Sequence, residues 1–209
     1  GNALKFAQMP YFKRMWQQYP NTLLSSAGQH VGLPWGVPGN SEAGHLNIGA
    51  GRLVYQSFPT IQRAIADNSF FTNPILKNTF SAIRKTDRVV HLVGLLSRGG
   101  VHSHLDHVEA LLRLLRHEKV RTVYLHLFTD GRDAGGHSAL GFLEDLEQMI
   151  KKHKVGRIAT LIGRGWAMDR NHNWKECTKP SYEALVRGVG EHAIVAKHVV
   201  STAYTRGIT

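Results

Sequence analysis

Three apolar runs, Val89 to Leu96, Thr122 to Phe128 and Arg157 to Ile162, each pass directly into a polar loop that carries glycine. Between them lie two stretches with apolar residues at helical spacing. Leu105, Val108, Leu111, Leu112 and Leu115 mark the first, and Leu140, Leu143, Leu146 and Ile150 the second. Strand-length runs separated by helix-length amphipathic segments cannot close as hairpins. They form βαβ units, whose crossover helices make neighbouring strands parallel. The pattern therefore specifies an α/β fold with a mostly parallel sheet. Upstream, Ile61 and Ile65, then Ile75, Leu76, Phe80 and Ile83, predict two more helices.

A parallel sheet places all its strand-to-helix loops at one edge, where open α/β folds bind ligands. The first loop here is Ser97-Arg98-Gly99-Gly100-Val101-His102-Ser103-His104. The second is Asp130-Gly131-Arg132-Asp133, and the third runs from Gly163-Arg164-Gly165 to Asp169-Arg170. Arginines converging from separate loops suit the bidentate geometry of phosphate or carboxylate. Asp130 to Asp133 also has the makings of an Asx turn ahead of the next helix. His102, His104, Asp106 and His107 are dense enough to suggest a metal, but no further ligand follows at a familiar spacing. A loop histidine meeting an anion is the better reading of His102, with His104 and His107 as cap and surface residues.

Residues 1–55 follow a different regime. One helical stretch runs from about Phe6 to Tyr19, and a strand-like run from Thr22 to Ser26. A loop then carries Gly32, Pro34, Gly36, Pro38 and Gly39. Ser41, in Gly39-Asn40-Ser41-Glu42-Ala43-Gly44-His45, is suited to cap a helix. The amides beside it could also hold an anion on a phosphorylated serine. A serine hydroxyl is a weak nucleophile and needs a base or a metal at its oxygen.

The 26 Lys and Arg against 15 Asp and Glu give a net charge of +11, so nucleic acid is one candidate partner. The cations are scattered along the chain, however, with Lys151-Lys152-His153-Lys154 the densest run, and aromatics do not interleave with them. Small phosphorylated anions fit equally well. The single cysteine, Cys177, excludes an intramolecular disulfide framework and reads as a buried, inert thiol in a reducing compartment. Trp16, Trp35, Trp166 and Trp174 read as packing residues. No apolar run has the length of a membrane span and the start does not read as a signal peptide, so the expectation is a cytoplasmic protein.

Taken in order, the motifs resemble the cofactor-independent (2,3-bisphosphoglycerate-independent) phosphoglycerate mutases over essentially the whole chain. The stretches that carry the likeness begin with Gly1-Asn2-Ala3, Gly39 to Glu42 and Gly49-Ala50-Gly51-Arg52. They continue with Gly99 to His104, Asp130 to Asp133, Ala167-Met168-Asp169-Arg170 and Tyr182 to Val186. The resemblance implies interconversion of 3-phosphoglycerate and 2-phosphoglycerate with two Mn²⁺ or similar ions. Ser41 would be the catalytic nucleophile, forming a phosphoserine, and also a metal ligand. His102, Arg132, Asp133, Arg164 and Arg170 would bind substrate. The implied architecture is an N-terminal piece of an alkaline-phosphatase-like metal domain at 1–55, followed at 56–209 by an inserted transferase domain. Both would be incomplete, with most metal ligands outside the chain, so this piece alone is expected to be inactive. The complete enzyme would be a monomer acting on a small molecule, without nucleic acid or membrane. A non-catalytic phosphoglycerate-binding module is the alternative.

The chain departs from that family pattern at several positions. Arg98 and Trp35 replace usually acidic residues, and Gly165-Trp166 stands for two aromatics. Ala134-Gly135-Gly136 replaces a proline-containing stretch, and Asn173 takes the place of an arginine. The Gly165 change is expected to loosen the loop holding Arg164 and Arg170.

Overall fold

The structure, a computed structural model, describes residues 3–207; Gly1 and Asn2 of the first matched stretch lie outside them. The chain divides into two compact units, residues 1–56 and 57–209.

The first unit holds helices α1 (Ala3–Phe6), α2 (Pro10–Gln18) and α3 (Ser41–Ala50), with a 3₁₀ turn at Gly28–Val31. The single helix expected from Phe6 to Tyr19 is thus two helices. Pro10 sits at the first position of α2, where its missing N–H costs nothing, but its ring could not follow a continuous preceding turn. Thr22 to Ser26 is not a strand, because it finds no neighbour to complete its hydrogen bonds among the described residues. A small core of Val31, Leu33 and Ala43, with Val37 against it, ties the loop to α3. Asn47 locks the same join: its Nδ2 donates to the carbonyls of Val31 at 2.9 Å and Ala43 at 2.8 Å, and its Oδ1 accepts from the Val54 amide at 2.6 Å.

The second unit opens with α4 (Ser57–Ala66), α5 (Ser69–Thr72) and α6 (Pro74–Lys85). The alternating core follows: β1 (Val90–Leu96), α7 (Leu105–His117), β2 (Val123–Thr129), α8 (Ala139–His153) and β3 (Arg157–Gly163). The three strands are parallel in the order β1-β2-β3. Connections of one hand between adjacent parallel strands put both crossover helices on the same face, and α7 packs against α8. Leu105, Leu112 and Leu115 of α7 meet Leu143, Leu146 and Met149 of α8 over Val123, Leu125 and Leu127 of β2. Burying each such side chain contributes roughly 1.5–3 kcal/mol. The opposite sheet face carries His91, Val93, Tyr124 and His126, of which His91 and Val93 are exposed.

After β3 come α9 (Arg164–Ala167), a π turn at Trp174–Thr178, α10 (Lys179–Arg187) and α11 (Ala196–Thr205). The four tryptophans are exposed rather than packing residues, since they lie in loops and short helices that do not face the core. No helix among the described residues is long and apolar enough to cross a membrane.

Candidate functional site

Register builds the site. Leu96, Thr129 and Gly163, the last residues of the three strands, are hydrogen-bonded neighbours across the sheet. The residues that follow, Ser97, Asp130 and Arg164, therefore emerge side by side at the carboxyl edge. Ser97 and Asp130 are buried, at 2% exposure each. The Ser97 hydroxyl donates to Asp130 Oδ2 at 2.6 Å and accepts from the Gly99 amide at 2.9 Å. Asp130 Oδ1 accepts from the Arg132 and Asp133 amides at 2.9 and 3.1 Å, so the Asx turn is present and sets the direction of the loop.

Arg164 is clamped between two carboxylates. Its Nη1 donates to Asp130 Oδ1 at 2.9 Å and to Asp133 Oδ2 at 2.6 Å. Nε and Nη2 make no hydrogen bond among the described residues, which leaves donors in the guanidinium plane for a further acceptor. Burial opposes ionisation of Asp130, yet the Ser97 hydroxyl, the two loop amides and Arg164 outweigh it and hold its pKa below the ordinary value. Desolvation likewise opposes the charge on Arg164, but hydrogen bonds to Asp133 and Asp130 push its pKa up. Both groups are ionised at neutral pH.

Of the remaining expected site residues, His102 comes nearest to a clamp carboxylate. His102 is exposed, its Nε2 4.0 Å from Asp133 Oδ2. Arg132 and Arg170 are exposed and make no ion pair among the described residues. Gly99 passes so close to Asp133 that a Cβ there would lie 2.8 Å from the Asp133 carbonyl oxygen and 2.9 Å from its Cβ. Only glycine lets the first loop lie against the second.

The other readings at this edge separate cleanly. His104 caps α7, its Nδ1 accepting from the Asp106 amide at 3.2 Å. Burial lowers its pKa, with Asp106 opposing and Arg98 adding to the effect. His107 is half-buried rather than a surface residue: the Phe58 ring lies tilted beside it, and its buried Nε2 has no hydrogen-bond partner among the described residues. Arg98 turns away from the site to bridge Asp106 at 3.2 Å and Asp145 at 2.9 Å, so its departure from an acidic type serves the join between α7 and α8. Gly165 lies within α9, and the two carboxylates hold the neighbouring Arg164. Asp169 accepts from the amides of Asn171 and Asn173 and from Asn173 Nδ2, which puts Asn173 in service of the loop backbone. Cys177 is half-buried, not buried; desolvation first, then Asp169 and Glu176, push its thiol pKa up and keep it protonated.

In the first unit, Ser41 is not the cap. Asn40 caps α3, its Oδ1 accepting from the Ala43 amide at 2.8 Å, and Ser41 is the first helical residue, exposed. The backbone thus frees the Ser41 hydroxyl from capping. Gly39 makes the approach possible, because a Cβ there would collide with the Ser26 carbonyl. His45 Nδ1 lies 2.7 Å from the Ser41 carbonyl and 3.2 Å from its Oγ. A carbonyl can only accept, so Nδ1 carries the proton and cannot take one from Oγ in this arrangement. No group of three or more His, Cys, Asp or Glu that could hold a metal occurs among the described residues. The described residues therefore offer no complete metal centre around Ser41, the metal ligand expected from the resemblance.

Sequence reading anticipated the Asx turn at Asp130 but missed Ser97 and the pairing of Asp130 with Arg164. Both Ser97 and Asp130 were detectable as the first polar residue after an apolar strand.

A parallel sheet with both crossover helices on one face and an Arg–Asp clamp at its strand ends defines an α/β domain. Comparison with known proteins narrows this. The family model described as BPG-independent PGAM N-terminus matches residues 61–209, and the chain belongs to that family. It is 47% identical over all 209 residues to a 2,3-bisphosphoglycerate-independent phosphoglycerate mutase of Moorella thermoacetica, and 48% identical to that of Chloroflexus aggregans. It spans 40% and 38% of the lengths of those relatives. A crystal structure of Leishmania mexicana phosphoglycerate mutase at low cobalt concentration superposes with a TM-score of 0.72 at 29% identity, covering 98% of this chain and 38% of that one.

Proposed function

We propose that these residues are the nucleophile-bearing and substrate-clamping part of a phosphoglycerate mutase that interconverts 3-phosphoglycerate and 2-phosphoglycerate. The observation that carries the reading is the match of all 209 residues to part of such mutases, beside a strand-end edge with Asp133, Arg164 and His102. Ser41 Oγ would bond to the substrate phosphorus as the ester P–O bond between that phosphorus and the glycerate oxygen breaks, its proton passing to the departing glycerate oxygen. The phosphoryl group would then return to the other hydroxyl. Arg164, already neutralised by two carboxylates, would orient the substrate through its free N–H groups, while exposed Arg132 and Arg170 would supply positive charge and His102 a hydrogen bond. Asp133 would accept from a substrate hydroxyl.

Residues 1–55 would belong to a phosphatase-like metal domain and 56–209 to an inserted transferase domain. Two Mn²⁺ or similar ions would be held mainly outside this chain, with Ser41 its one ligand. The complete protein would be a cytoplasmic monomer without nucleic-acid or membrane partners.

The test follows both phosphoglycerates by ³¹P NMR. The natural full-length protein should equilibrate them, Ser41→Ala should abolish turnover, and trapped enzyme should carry phosphate on the Ser41 peptide. Residues 1–209 alone should show no turnover. A Ser41→Ala enzyme that still equilibrates the isomers would sink the nucleophile assignment.

A further inference from the structure

Six of the 26 Lys and Arg scattered along the sequence gather at the opposite, amino end of the sheet. A concavity of about 680 Å³ there is lined by Arg84, Lys85, Arg116, Lys119, Arg121 and Lys154, with Asp87 and Val120 completing the wall. It is assembled from the turns before β1, β2 and β3, which parallel topology brings together as surely as it does the loops at the other edge. Six cations face one carboxylate, and that carboxylate, Asp87, pairs only loosely with Arg121 at 3.6 Å, both exposed. Helix C-termini attract cations, and α6, α7 and α8 all end here. Three such termini offer about half an elementary charge each, well short of the surplus.

Backbone conformation adds a second, independent observation. Lys119 and Lys154 have φ of 58° and 53°, the left-handed region where a helix end ordinarily takes glycine. Asp87 at the third turn is left-handed as well, with φ of 49°, so each of the three turns carries a charged side chain where glycine would be less strained.

We propose that this concavity binds a phosphate-dense anion of the inorganic triphosphate or polyphosphate class, at a site separate from the strand-end clamp. Its volume falls within the roughly 300–1,000 Å³ of small-molecule sites. No aromatic side chain lines it, so it offers no platform for a nucleobase. Recognition rests on charge alone, and six cations exceed what a monophosphate can neutralise.

Calorimetric titration of the natural full-length protein with sodium triphosphate tests this, with orthophosphate, a poly-glutamate peptide and duplex RNA as comparison arms. Triphosphate should bind at least tenfold tighter than orthophosphate and weaken steeply with added salt. The Lys119→Gly/Lys154→Gly variant should lose at least tenfold in affinity while its melting temperature holds or rises. Arg116→Gln, which leaves every turn intact, should weaken binding in the same direction, and Arg164→Ala should not. Unchanged binding in both charge-removed variants overturns the proposal. So does orthophosphate binding as tightly as triphosphate, or tighter binding of the peptide or RNA.

Discussion

At the carboxyl end of the three strands, Asp130, Asp133 and Arg164 lie within hydrogen-bond distance of one another and largely out of water; at the amino end, six cations surround an open concavity with a single exposed carboxylate. The same register produced both, because parallel strands send every outgoing loop to one edge and every incoming turn to the other. The difference lies in pairing. Buried charges are tolerated only when partnered, so the carboxyl edge is rigid and its geometry is set before any ligand arrives. Exposed cations on flexible stems keep their hydration and need no partner to fold, so the amino edge holds unspent potential rather than a fixed shape.

The contrast is broken most severely by Asp130→Ala, which strips Arg164 and Ser97 of their shared acceptor. Removing one partner of a buried pair costs about 3–5 kcal/mol, and urea denaturation should show a loss in that range; a loss under 1 kcal/mol would mean the clamp contributes little to the fold. The pH dependence has a defined sign. The folded pKa of Asp130 is lowered, so its contribution is fully present above the unfolded value of about 3.9 and is lost as pH falls through the folded value. Wild-type stability should drop more steeply below pH 4 than that of the alanine variant.

Gly99→Ala is the next largest change, because the new methyl must displace Asp133 from Arg164. Overpacking of this kind costs about 1–3 kcal/mol, and in the full-length enzyme it should also raise the KM for phosphoglycerate. An unchanged KM would separate the loop contact from substrate binding.

In the first unit, Asn40→Ala should cost about 1 kcal/mol through loss of the α3 cap, while Ser41→Ala should leave stability unchanged and remove activity. Equal destabilisation by the two would return Ser41 to a capping role. Arg98→Ala should have the smallest effect, about 0.2–1 kcal/mol for exposed ion pairs, reduced further by 0.5 M salt. At the amino edge added salt should instead raise stability slightly by screening cation repulsion. Thermal melts across a salt series distinguish the two responses.

Much of this was legible in the sequence. Apolar runs of strand length and helical leucine spacing gave the three strands and two crossover helices, the strands to within a residue at each end, because burial dictates both patterns. The outgoing loops could be assigned to one edge before any coordinates, since parallel connectivity leaves no other arrangement. Other features escaped because they depend on contacts between distant segments or on backbone angles that residue type does not fix. Thr22 to Ser26 has strand-like composition, yet a strand exists only where a neighbour accepts its hydrogen bonds. Asn40 and Ser41 are both good caps, and the choice between them turned on which backbone adopted the extended conformation.

By itself, then, the sequence determined the alternation of elements, the parallel sheet and the polar edge, all properties of local periodicity and connectivity. Tertiary structure alone decided that Arg164 is held by Asp130 and Asp133, that His107 is enclosed rather than exposed, and that cations from three separate turns form one concavity. Electrostatic interaction falls off with distance in space, not along the chain, so residues that are scattered in sequence acquire a common potential only when the strands are set side by side.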